Sequence, residues 1–125
     1  MYPKHKIVVK YCQVMILLFQ RNLTEYYSAV DSYNMMMIFA SMLYERRIIF
    51  ISKRLSRLSA CVQACNALIY PMIWQHIYIP VLPLSLIDYL LAPMPFLIGV
   101  PTLTLQVSIT KIFLSRVYYL TVCTS

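Results

Sequence analysis

Residues 46–52 read RRIIFIS, and this stretch decides how the chain folds. Two arginines introduce four consecutive branched or aromatic residues, Ile48 to Ile51, a run of strand length. A continuous apolar run without polar alternation is typical of a strand buried on both faces, as in a parallel sheet. The core is therefore expected to form around this segment.

Helices are predicted on either side of this strand. Asp31 or Ser32 can cap a helix over about 33–44, which is apolar nearly all round and so needs cover on several sides. Ser52 is placed to cap a second, amphipathic helix that runs to about Ile69. The central strand is thus expected to lie between two helices.

Three more apolar segments have the length and composition of strands. They are 77–82, 96–100 and 117–122, with short helical segments over 85–91 and 105–114 between them. The alternation of helices and strands predicts an α/β fold: a mostly parallel open sheet with helices on its faces. Four strands leave sheet edges to cover, so the chain is expected to be part of something larger.

Composition excludes several kinds of site. The chain has 125 residues, enough for one domain, and is 61% apolar and 12% charged, which excludes disorder. Its one glycine, Gly99, excludes loops that cradle phosphate with several glycines. Ser85, His76 and Asp88 show no recognised catalytic spacing, and the four cysteines lack the C-x-x-C spacing of a zinc site. No enzyme chemistry, metal or cofactor is expected.

Membrane insertion and secretion are not predicted. The apolar stretch 77–100 contains four prolines, which would leave carbonyls unpaired in lipid. The apolar stretch 7–19 is interrupted by Lys10 and its clean run is shorter than the core of a signal peptide. We interpret the cysteines as reduced and mostly buried, which favours a cytosolic chain.

The charge balance favours an acidic partner. Eleven Lys and Arg against four Asp and Glu give a net charge of +7. Such an excess attracts an anionic membrane surface, nucleic acid or an acidic protein face, and charge alone does not choose among them. Because the cations form no groove with exposed aromatic residues and no known motif, nucleic-acid binding is not expected.

Residues 22–101 closely resemble the central module of the DENN domain, nearest to the connecdenn group. The resemblance is carried by SMLYERRIIFIS at 41–52, LSACVQACNALIYPMIWQHIYIPVLP at 58–83 and APMPFLIGVP at 92–101. It extends more weakly over 102–125, where Ser115, Arg116 and Cys123 replace residues expected to be acidic. Residues 1–21 form a basic and apolar lead segment without a match in the family.

The resemblance implies a guanine-nucleotide exchange factor for a Rab-family small GTPase in endocytic and recycling traffic. Such a chain is cytoplasmic and peripheral on endocytic vesicles. The complete family module adds an N-terminal longin-like lobe and a C-terminal helical lobe, so these lobes are expected partners and this chain is expected to be inactive alone. The alternative is a fragment that binds Rab or an anionic membrane surface without promoting exchange.

Candidate contacts with Rab or another anion lie where the predicted strands end, because ligands of open α/β sheets gather at the carboxyl ends of strands. Lys53, Arg54 and Arg57 would also oppose the dipole of the helix they introduce, which calls for a negative partner. An intramolecular carboxylate or water would serve equally well. The full candidate set is Ser52, Lys53, Arg54, Arg57, Pro83, Leu84, Ser85 and Pro101.

Overall fold

Helices and strands alternate along the chain in the computed structural model, which describes residues 4–107 and 120–124. The elements in chain order are α1 (Lys4–Ala29), α2 (Ser32–Leu43), β1 (Arg47–Ser52), α3 (Leu55–Leu68), β2 (Ile77–Ile79), a 3₁₀ helix (Leu84–Leu91), β3 (Phe96–Pro101) and β4 (Leu120–Thr124). Residues 102–107 are also helical. The predicted α/β class is confirmed.

The four described strands form one sheet in the order β2-β3-β1-β4. All three pairings are parallel. The strand predicted from the RRIIFIS stretch, β1, is central: its Phe50 lies opposite Gly99 of β3 and Val122 of β4. The parallel arrangement follows from the continuous apolar runs, since both faces of such strands must be covered.

Each face of the sheet carries its own cluster of buried residues. Ile48 and Phe50 of β1 join Leu97 of β3 on the face covered by the helices. Ile49 and Ile51 lie on the opposite face, because successive strand residues point to opposite sides. That second cluster also contains Phe96, Ile98, Val100, Leu82 and Leu90. The central strands are therefore buried on both faces, as predicted.

Helix α1 is the element that the sequence patterns do not predict. It has 26 residues, and its carboxyl-terminal half packs against α3. Tyr26 is buried there, and the side-chain amide of Asn22 donates a hydrogen bond of 2.8 Å to Gln63 of α3. Because the hydrogen bond between Asn22 and Gln63 joins residues 41 positions apart, the local periodicity of the sequence does not reveal how α1 packs.

The predicted helix over 33–44 is confirmed as α2, although its surroundings differ from the expectation. Asp31 holds the N-cap position with extended backbone, but its side chain makes no hydrogen bond to the helix N–H groups. Ile38 and Met42 are buried against the core, whereas Met36 is 71% exposed. The described residues thus cover one side of α2 and leave its other sides exposed, so the expected cover on several sides is not supplied by this part of the chain.

Ser52 does not cap α3, and that prediction is wrong. The N-cap residue is Arg54, while Ser52 is the buried last residue of β1. Ser52 stays in the strand because it pairs with Pro101 of β3 and Thr124 of β4. Its hydroxyl accepts a hydrogen bond of 3.2 Å from the backbone N–H of Arg54, which shapes the turn into the helix.

The remaining predicted segments are placed with shifted ends. Strand β2 is shorter than the predicted 77–82 and ends at Ile79, since Pro80 has no N–H to continue the ladder. The predicted helical turns over 85–91 are a 3₁₀ helix. The predicted helix over 105–114 and strand over 117–122 lie partly outside the described residues, as do the side chains of Cys12 and Cys123. In the described ranges, no helix combines the length and the apolar character needed to span a bilayer.

Candidate functional site at the carboxyl edge of the sheet

The carboxyl ends of three neighbouring strands meet at one edge of the sheet. Ser52 at the end of β1 lies opposite Pro101 at the end of β3 and opposite Thr124 of β4. The chain leaves this edge through residues 53 and 54 on one side and through the helical residues 102–107 on the other. The edge therefore has the geometry at which parallel sheets bind their ligands.

Lys53 and Arg54 present two exposed cations beside this edge. Both side chains are exposed, and α3 has no acidic residue in its first turn. Neither cation forms an ion pair with a carboxylate of the described residues. Because the amino terminus of a helix carries a partial positive charge, these two cations increase the local potential that attracts an anion.

Arg57 is engaged within the chain. Its Nε atom lies 3.4 Å from Glu25 Oε2 of α1, and its side chain is 19% exposed. The intramolecular carboxylate that the sequence left open as an alternative is thus present for this residue. The structure separates Arg57, which links α1 to α3, from Lys53 and Arg54, which face solvent.

The second candidate loop begins after Leu82. Its residues Pro83, Leu84 and Ser85 are exposed, and Pro83 holds the N-cap position of the 3₁₀ helix. The backbone N–H of Leu82 donates a hydrogen bond of 2.7 Å to the carbonyl of Gly99 in β3. This bond fixes the start of the loop to the strand that ends in Pro101.

A groove of about 450 Å³ between α1, α3 and the chain before β2 is a feature that sequence reasoning missed. It is lined by Phe19, Asn66, Ala67, Tyr70, Met72, Ile73, Trp74 and Tyr78. Trp74 is fixed by a hydrogen bond of 3.0 Å from its Nε1 to the carbonyl of Ile77 and by an edge contact with the His76 ring. The density of large apolar residues over 70–78 was the available signal, but Phe19 comes from the helix that was not predicted.

Cys61 and Cys65 are buried thiols and not a reactive site. Burial raises the pKa of Cys61 to about 11 and that of Cys65 to about 12. The Cys65 thiol donates a hydrogen bond of 3.7 Å to the hydroxyl of Tyr26, whose pKa is also raised by burial. Protonated, enclosed thiols are poor nucleophiles and poor metal ligands. Within residues 4–107 and 120–124, His, Cys, Asp and Glu form no group that could hold a metal ion.

Comparison with known proteins identifies the class. The family model of the DENN (AEX-3) domain matches residues 4–121. The chain therefore belongs to the DENN domain family, as its resemblance at 22–101 implied. The match also includes residues 4–21, which were expected to have no match in the family.

Individual relatives agree with this assignment. The chain is similar to human DENN domain-containing protein 1B, at 64% identity over 80 residues, which are 64% of this chain and 10% of the relative. It is similar to human DENN domain-containing protein 1A, at 53% identity over 105 residues, or 84% of this chain and 10% of the relative. Mouse DENN domain-containing protein 1C is 54% identical over 80 residues, again 64% of this chain and 10% of the relative. The chain thus matches about a tenth of the length of these relatives.

Proposed function

We propose that this chain is part of a guanine-nucleotide exchange factor that promotes GDP release from a Rab-family small GTPase in endocytic and recycling traffic. It would act in the cytoplasm, at the periphery of endocytic and clathrin-coated vesicles. Membership of the DENN domain family is the observation that carries the proposal. The similarity to DENN domain-containing proteins 1A, 1B and 1C supports the connecdenn group within that family.

Exchange needs no covalent chemistry from the factor. A factor that binds nucleotide-free Rab more tightly than the nucleotide-bound form lowers the affinity of Rab for nucleotide by the same ratio. The requirement is a surface that favours one state of Rab. The carboxyl edge of the sheet, with Lys53 and Arg54 exposed beside it, is our proposed part of that surface.

We further propose that the chain promotes exchange poorly or not at all without the other DENN lobes. The exposed side of α2, which carries Met36, Phe39 and Leu43, supports this view, because a large apolar surface is normally covered in a working assembly. Residues 22–125 would supply the central module, and an N-terminal and a C-terminal lobe would complete the Rab-binding surface.

The test is the release of mantGDP from a panel of purified Rab proteins. The chain is compared with the same chain extended by the two other lobes of human DENN domain-containing protein 1A. We expect the extended form to accelerate release from at least one Rab, and the chain alone to leave the rate unchanged. If neither form accelerates release from any Rab in the panel, the proposed exchange function is wrong. Acceleration by the chain alone would contradict the proposed need for the other lobes.

A second candidate function is binding of Rab or of an anionic membrane surface without exchange. The net charge of +7 favours it, since an excess of cations attracts an acidic protein or lipid surface whether or not exchange occurs. Affinity for nucleotide-free Rab, or salt-sensitive flotation with anionic vesicles, in the absence of any acceleration of mantGDP release would support this candidate.

A further inference from the structure

The middle of α1 exposes apolar side chains in every direction. Six consecutive residues, 14–19, are apolar, and each side chain is between 40% and 66% exposed. At 100° per residue, six residues pass more than once around the helix. Among residues 14–19 no side chain is polar, and most of their surface is left exposed by the described chain, although Phe19 also lines the groove beside α3. The exposed polar residues of the adjoining turns lie within about 100° of one another, on the side of Leu17, and form a polar stripe: Lys10, Gln13, Gln20 and Arg21.

Positive charge accompanies this apolar segment. Lys10 and Arg21 are exposed on either side of it, and α1 also contains Lys4 and Lys6. The first acidic residue of the chain is Glu25, which lies in the half of α1 that packs against α3. The segment from Lys10 to Arg21 is thus apolar in the middle and contains no acidic residue.

We propose that residues 10–21 of α1 insert along the surface of an anionic lipid bilayer. This inference rests on the membrane-binding candidate above and gives it a location in the molecule. The eleven steps from Lys10 to Arg21 span about 17 Å of helix, much less than the roughly 30 Å of a hydrocarbon core. The segment would lie in the boundary between headgroups and acyl chains, with Lys10 and Arg21 among anionic headgroups.

Lipid fits this segment better than protein does. A protein groove covers one stripe of a helix, whereas fluid acyl chains adapt to a wide apolar face and leave the polar stripe among the headgroups. A second copy of α1 would bring a helix of the same positive charge, so two copies would repel each other in either orientation. An anionic surface attracts the same cations, at about fivefold in affinity for each charge near the surface.

The test is flotation of the full chain with vesicles of phosphatidylcholine, with and without phosphatidylserine. Leu17→Glu and Met15→Glu alter nearly opposite sides of the exposed segment. Leu103→Glu is the matched control, because Leu103 is a leucine outside α1 that is even more exposed than Leu17, at 78% against 65%. We expect the chain to float with the anionic vesicles. Met15→Glu, opposite the polar stripe, should weaken binding by about tenfold to a hundredfold. Leu17→Glu, within the stripe, should weaken binding less, and Leu103→Glu should leave it unchanged.

Several outcomes would overturn the inference. Flotation that Leu17→Glu and Met15→Glu both leave unchanged would mean that the membrane site lies elsewhere, with the membrane-binding candidate intact. The absence of flotation with anionic vesicles would contradict both the insertion of residues 10–21 and the membrane-binding candidate. Flotation lost with Leu17→Glu but kept with Met15→Glu would contradict the proposed orientation of the helix. A dimer in sedimentation velocity that Met15→Glu dissociates would assign the segment to a second copy of the chain. Far-UV circular dichroism of each variant verifies the fold.

The charge contribution is tested separately. The double variant Lys10→Gln, Arg21→Gln keeps all six apolar residues and should reduce binding to the anionic vesicles by about 25-fold, or about fivefold for each charge. Binding that is unchanged by this variant and by added salt would overturn the assignment of an anionic surface. The mantGDP assay is independent of vesicles, so a failure of this inference and a failure of the exchange function are distinguishable.

Discussion

Gly99 of β3 lies directly against the backbone carbonyl of Pro80, so that a Cβ atom at Gly99 would overlap the Pro80 oxygen. The same Cβ would stand 3.0 Å from Cγ of Leu58 in α3. The one glycine of the chain thus allows three segments to meet: β3, the loop after β2 and α3. This close approach also lets Leu82 donate its hydrogen bond to the Gly99 carbonyl.

Gly99→Ala should therefore destabilise the protein strongly. The loop carbonyl is backbone and cannot move aside as a flexible side chain would, so we expect a loss of about 2 kcal/mol or more in the free energy of unfolding. Urea denaturation measures it. Leu103→Ala, at an exposed position, is the control and should stay within about 0.5 kcal/mol of the parent. Equal stability of Gly99→Ala and the parent would contradict the packing described here.

Tyr26 and its neighbour Tyr27 offer a matched pair for testing how α1 is attached. Tyr26 is 1% exposed between α1 and α3, whereas Tyr27 is 69% exposed. Tyr26→Ala should cost about 3–5 kcal/mol of unfolding free energy because it leaves a cavity. Tyr27→Ala should cost less than about 0.5 kcal/mol. Similar losses for both variants, measured by urea denaturation, would mean that α1 does not dock on α3 through this face.

The buried thiols make stability depend on alkaline pH. In the unfolded chain a cysteine loses its proton near pH 9, but burial raises the pKa of Cys61 to about 11 in the folded state. Below pH 9 both states keep the proton and stability is unaffected. Between about pH 9 and 11 the unfolded state releases the proton first, so the free energy of unfolding falls as pH rises.

Cys61→Ala isolates this contribution. In that variant the slope of the logarithm of the unfolding constant against pH should be smaller by about one over this range, since one proton fewer is released on unfolding. Urea denaturation at several pH values gives the slope, and every other titratable group is common to both proteins. An identical slope for the variant and the parent would show that the Cys61 thiol is not shielded from water.

Glu45 ends helix α2 in a conformation that suits glycine. Its φ angle is 53°, and the backbone N–H groups of Glu45 and Arg46 donate to the carbonyls of Met42 and Ser41. This is the Schellman arrangement, with a non-glycine residue at the left-handed position. Glu45→Gly should be about 1 kcal/mol more stable than Glu45→Ala.

The comparison of these two variants removes the influence of the Glu45 carboxylate. That carboxylate lies 3.4 Å from His76 Nε2, and both variants lose the contact equally. The difference between them in thermal or urea denaturation therefore reports the backbone preference. An alanine variant as stable as the glycine variant would indicate that position 45 is not held in the left-handed region.

Arg54 and Arg46 test the proposal that the carboxyl edge of the sheet contacts Rab. Arg54 follows β1 and Arg46 precedes it, so the two exposed arginines lie at opposite ends of the same strand. In the chain extended by the other lobes, Arg54→Glu should slow mantGDP release by about fivefold or more, as expected for one lost charge contact. Arg46→Glu should leave the rate unchanged. The reverse pattern would place the Rab surface at the amino edge.

Local sequence by itself determined the elements around β1. The run Ile48 to Ile51 can be satisfied only when both faces are buried, so the strand, its parallel pairing and its place in the core followed from composition alone. Hydrophobic periodicity, together with the residues that end helices and strands, predicted α2, α3 and the strand at 96–100 in the same way. The resemblance over 22–101 indicated the DENN family from residue order, without any knowledge of contacts.

Only the tertiary structure decided α1, the strand order and the partner of Arg57. The contact between Arg57 and Glu25 joins residues 32 positions apart, and the order β2-β3-β1-β4 places β3 between two strands that precede it in the chain. Ser52 likewise remained in the strand because Pro101 and Thr124 pair with it, overriding its local preference to cap a helix. Local patterns report propensity and hydrophobicity, whereas these features depend on which distant surfaces bury one another, and that is settled only when the chain packs.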